Sequence, residues 1–103
     1  MAKFVVLYSG GAAPSTPEEG AASMKEWETW FATLGKAVVD AGAPFSKSKT
    51  VSGSGTHDGE SGNISNGYSV VEAADLGAAA KLVGKCPIIK GGGKAHVFEL
   101  MPM

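Results

Sequence analysis

The chain has 103 residues, 44% apolar and 18% charged, the size and balance of one packed domain, which excludes a disordered chain or a coiled coil. Its nine cations are all lysine and face ten acidic residues, for a net charge of −1; without arginine's planar fork or a positive excess, nucleic acid is not an expected partner. No apolar run approaches the roughly 18 residues of a membrane helix, no signal-peptide cleavage pattern follows Met1, and one cysteine excludes a disulfide framework or a cysteine-based zinc cluster, so the expectation is a cytoplasmic domain.

Lys3-Phe4-Val5-Val6-Leu7-Tyr8 is β-branched and aromatic and is stopped by Ser9-Gly10-Gly11, which predicts a first strand. It shows no polar/apolar alternation, so both of its faces should be covered. After a loop through Ala13-Pro14-Ser15, Thr16 is placed to cap a helix, with Pro17 at its first position and Glu19 completing a Thr-x-x-Glu capping box. Met24, Trp27, Phe31 and Leu34 make one apolar stripe, Trp30 lies about 60° off it, and Gly35 ends the helix, predicted over 17–34. Ala37-Val38-Val39-Asp40 reads as a short strand closed by Ala41-Gly42-Ala43-Pro44, and Lys49–Ser52 as a second extended piece.

From Gly53 to Gly67 the chain is almost entirely Ser, Gly, Asn, Thr and acidic residues, too little apolar area to offset its ordering entropy. The expectation is a flexible Gly/Ser-rich loop over 53–66, long enough to serve as a lid. Tyr68–Ala73 is the next strand, Asp75 caps a short helix over 78–83, Pro87-Ile88-Ile89 makes a turn or short extended piece, and Ala95–Leu100 is the last strand, with His96, Phe98 and Leu100 on one face.

This order, β-α-β-(β)-β-α-β, is that of an α+β ferredoxin-like sandwich, two helices on one face of an antiparallel sheet. Its other face would still carry the apolar side of the first strand. A second copy of the sheet covers it, giving a two-fold homodimer that forms a dimeric α/β barrel.

Phe4–Tyr8, the Trp27/Trp30 helix, Val38-Val39-Asp40-Ala41-Gly42, Gly67–Ala73, Cys86-Pro87 and the closing Val97–Met103 together resemble the YCII-related family, mostly bacterial proteins. The resemblance spans one domain over 1–103, apart from the 53–66 loop, and implies the same dimeric barrel. For some members the resemblance implies a His–Asp pair in a cleft. Near the corresponding helix position this chain has Trp27, and its first helix has no His; the Asp-Gly-Pro-Phe motif of another branch is reduced to Asp58-Gly59.

Among chemistry-bearing residues, Asp40 ends a strand beside Val38 and Val39, where desolvation would raise a general base's pKa; its alternative role is capping the turn through backbone N–H groups. His57, with Asp58 beside it, sits in the expected lid. Tyr8, Ser9, Trp30 and Tyr68 are candidate ligand contacts between helix and sheet, with Trp27 expected in the core. His96 reads as a core or dimer-contact residue, and Cys86 as an unreactive thiol. Two histidines and scattered carboxylates have no metal-ligand spacing, and neither Gly91-Gly92-Gly93-Lys94 nor Ser9-Gly10-Gly11 fits a phosphate or dinucleotide fingerprint, so no metal or cofactor is expected. Three readings follow: a small-molecule lyase or hydrolase using Asp40 and His57, a non-catalytic ligand-binding module, or a protein whose dimer surface is its function.

Overall fold

Eight residues, Ala2–Ser9, form the first strand, β1, in the computed structural model of the chain, which describes residues 1–11, 15–59 and 65–102. Of the expected loop at 13–15 only Ser15 is described. Helix α1 runs Pro17–Leu34, as the spacing predicted. Thr16 Oγ1 accepts from the Glu19 N–H at 3.1 Å, and the Glu19 carboxylate reaches back to the N–H and hydroxyl of Ser15, 2.8 Å each. These bonds satisfy donors that every helix start leaves open. Gly35 closes α1 at φ +56 and opens a 3-10 turn over Gly35–Ala37.

Strand β2 covers Val38–Pro44, longer than the expected 37–40. The extension depends on Gly42 at φ +75, where a Cβ would stand 1.8 Å from the Tyr68 carbonyl oxygen. Only glycine lets the two backbones approach this closely, and the pairing with the neighbouring strand shifts register on either side of Asp40. Strands β3 (Lys49–Ser52) and β4 (Gly55–Asp58) form a separate hairpin. Part of the expected 53–66 loop is therefore a strand. Ladder hydrogen bonds need no apolar side chains, and the Gly53-Ser54 turn sets Thr50 opposite His57. Residues 60–64 of that loop lie outside the described residues.

Strand β5 is Gly67–Ala73 and helix α2 Leu76–Val83, capped by Asp75 Oδ1 on the Ala78 N–H at 2.8 Å. Pro87–Lys90 is a single helical turn, α3, where a turn or extended piece was expected; proline at a first helical position forfeits no hydrogen bond. Strand β6, Lys94–Glu99, ends the sheet.

The four long strands form an antiparallel sheet in the order β2-β5-β1-β6, so this is a mixed α+β fold in which each helical crossover skips one strand. Register assigns the faces. Phe4 opposite Val71 and Val6 opposite Ser69 turn towards the helices and form the core with Tyr8, Ala73, Trp30, Ala79, Val83 and Cys86. Each large apolar side chain there contributes about 1.5–3 kcal/mol through burial. Val5 opposite Val70, Leu7 opposite Tyr68, and Phe98 opposite Val5 belong to the other face, which no helix covers; Phe98 there is 52% exposed. No helix of the described residues is long and apolar enough to cross a membrane.

Candidate functional site

Alternation along β1 and β5 sends Tyr8 and Ser69 towards the helices, at the end of the sheet where β2 is irregular. A cavity of about 660 Å³ opens there between α1 and the β2–β5 edge. Helix α1 supplies Met24, Trp27, Glu28 and Phe31; β2 supplies Ala41–Pro44; Gly10, Gly11 and Ile88 close one end. Its aromatic wall is continuous. The Trp27 ring meets Tyr8 edge-on, centroids 4.9 Å apart, and lies 5.9 Å from Phe31, spacings at which aromatic pairs attract beyond simple burial.

The two buried hydroxyls of this cavity are committed to each other and to backbone, and the Asn66 side-chain amide donates to the Gly10 carbonyl at 2.7 Å. Tyr8 Oη donates to Ser69 Oγ at 2.9 Å, and Ser69 Oγ donates to the Ala41 carbonyl at 2.7 Å, which ties β1 through β5 to the irregular part of β2. Burial pushes the Tyr8 phenol up to about 12, against the opposing pull of its bond to Ser69. At neutral pH it is a fixed phenol and no base. Ser69 gives its proton to a carbonyl, so no base activates it as a nucleophile. Among the described lining residues Glu28 alone is charged. The arrangement can hold and orient a molecule.

Of the residues singled out from the sequence, Tyr8 lines this cavity, Tyr68 borders it with its phenol on the other face of the sheet, and Ser9, Trp30, Asp40 and His57 do not line it. The roles of the two tryptophans are exchanged. Trp30 is buried with its indole N–H on the Leu82 carbonyl at 3.3 Å, because α2 packs against that side of α1; Trp27 forms the cavity wall. Asp40 is exposed, with Oδ1 accepting the Gly42 N–H at 2.9 Å and Oδ2 accepting the Tyr68 hydroxyl at 3.1 Å. This is the turn-capping role, and the adjacent carboxylate raises the Tyr68 pKa, first through that hydrogen bond and then through its charge. His57 is exposed on the β3–β4 hairpin. Ser9 is buried on the face away from the helices, its hydroxyl 2.9 Å from His96 Nε2. Sequence reasoning missed Ser69 and Trp27. A serine amid the apolar run of β5 was the available signal for Ser69, since a buried polar side chain needs partners.

A second concavity of about 570 Å³ lies on another side of α1, with Lys25, Lys85 and Lys90 around Trp30 and Pro87. Burial raises the pKa of the nearby Cys86 thiol, which keeps it protonated. Among the described residues no group of three or more His, Cys, Asp or Glu is placed to hold a metal ion. No family model matches the chain, and no curated protein matches it.

Proposed function

We propose that the chain is a non-catalytic small-molecule-binding module that works as a homodimer. The observation that carries this reading is the aromatic cavity whose two buried hydroxyls are bonded to each other and to backbone, with no histidine and a single, exposed carboxylate, Glu28, among its described lining. The acid/base reading draws no support from Asp40, whose carboxylate is occupied by a turn amide and a phenol outside the cavity. The strand order β2-β5-β1-β6 is that of a ferredoxin-like sandwich, in line with the resemblance to the YCII-related family. In the dimeric barrel of this reading a second copy covers the apolar face of Val5, Leu7, Val70 and Phe98.

The test is a thermal-shift screen of small apolar and aromatic compounds. A ligand at a hundredfold over its Kd stabilises the folded state by about 2.7 kcal/mol, which raises the melting temperature of a domain this size by roughly 10–20 °C. Trp27→Ala removes that shift and Trp30→Phe leaves it. A screen without a shift, or a shift that survives Trp27→Ala, refutes the binding reading. Light scattering that returns a monomer at micromolar concentration refutes the dimer.

A further inference from the structure

We infer that the cavity selects a protonated amine carried on an aromatic or apolar tail, an inference that rests on the binding reading and names its ligand class. Three features point the same way. The rings of Tyr8, Trp27 and Phe31 form one wall, and the electron-rich faces of such rings attract a cation within about 6 Å of their centroids. Tyr8 has already given its proton to Ser69, so its phenol oxygen presents only lone pairs to a ligand, while Ser69, wholly buried and bonded to the Ala41 carbonyl, fixes that phenol in place. An ammonium group, which has donors and no acceptor, is the complement of those lone pairs. Finally, Glu28 is the single charge among the described lining residues, and among the described residues it has no ion-pair partner of its own. It sets a negative potential at the mouth, where an anion would be repelled and a cation drawn in. The aliphatic and small side chains of Met24, Ala43 and Ile88 leave the remainder of the volume apolar, suited to the tail.

Phenethylamine, phenethyl alcohol and phenylacetate share a ring and a two-carbon frame and differ in charge at the head. Calorimetric titration of the wild-type chain at neutral pH and low salt should rank them amine, alcohol, acid. The amine should bind about fivefold or more tighter than the alcohol, the span a cation–π contact supports. Glu28 is exposed, so Glu28→Gln leaves folding intact; it should weaken the amine about threefold while leaving the alcohol unchanged, and Glu28→Lys should weaken the amine further. Trp27→Leu, checked for folding by circular dichroism, should remove the amine's advantage over the alcohol. If the alcohol binds as tightly as the amine and Glu28→Gln changes nothing, the amine inference is overturned and the binding reading stands. If the acid binds best at a site that Trp27→Leu does not disturb, the inference is likewise overturned. If none of the three binds at millimolar concentration, the inference falls; the binding reading falls only when the wider apolar screen also fails.

Discussion

Replacing Gly42 by alanine puts a methyl group where the backbone of β5 already lies. The added Cβ would stand 1.8 Å from the Tyr68 carbonyl oxygen, 2.7 Å from its carbon and 3.2 Å from Ser69 Cα. None of these atoms belongs to a flexible side chain, so β2 must move away from β5. Two costs add. The conformation itself, at φ +75, costs an L-residue about 1–2 kcal/mol. Displacing the strand also strains the turn bond from Gly42 N–H to Asp40 and the pairing of Ala43 with Tyr68, at about 0.5–1.5 kcal/mol per hydrogen bond. The expected loss is about 2–5 kcal/mol, a large share of the ordinary 5–15 kcal/mol stability of a domain. Gly92 is the matched control, with φ +86 and nothing within 4 Å of its added Cβ, so Gly92→Ala should cost only the conformational 1–2 kcal/mol or so. Urea unfolding of both variants measures the difference. Because Ala41–Pro44 also wall the cavity, Gly42→Ala should weaken ligand binding while Gly92→Ala does not. Equal losses in the two variants would refute the close approach of β2 to β5.

Ser69→Ala takes the acceptor from the buried Tyr8 hydroxyl and the donor from the Ala41 carbonyl. It should cost about 1–3 kcal/mol, towards the lower end because the adjoining cavity admits water, and Tyr8→Phe about 0.5–1.5. In a double-mutant cycle the pair should lose less than the sum of the singles, and strict additivity would deny the bond. Glu19 provides a pH test: its bonds to Ser15 hold the folded carboxyl below the ordinary 4.5. Its contribution is therefore fully present above that value and lost as pH falls through the lower folded one. Glu19→Gln should flatten the acid side of the stability curve, and an unchanged slope counts against the capping contact. Ultraviolet titration of the two tyrosines should find both above the usual 10, Tyr8 through burial and Tyr68 through Asp40. Asp40→Asn should return Tyr68 alone towards 10; if neither moves, the Tyr68–Asp40 bond is not formed in solution.

The local signals were legible in the chain itself. Thr16, Pro17, Glu19 and Gly35 bound α1 by contacts within a few residues, Asp75 caps α2 in the same way, and the β-branched pairs at 5–6 and 70–71 lie in strands β1 and β5. Such features depend on neighbours three or four positions away, which the sequence lists directly. What it could not list was which side of α1 meets which neighbour. Trp27 and Trp30 differ by three positions and both can face a core; the packing of α2 against Trp30 and its bond to the Leu82 carbonyl decide that Trp30 is buried and leave Trp27 beside open space. The hairpin of β3 and β4 escaped for a related reason, since it is held by backbone pairing and carries no apolar pattern. Tyr8 and Ser69 are 61 positions apart, and Ser69 and Ala41 28 apart. Long-range register alone brings them together, so the cavity and its hydrogen-bonded hydroxyls belong to the tertiary structure.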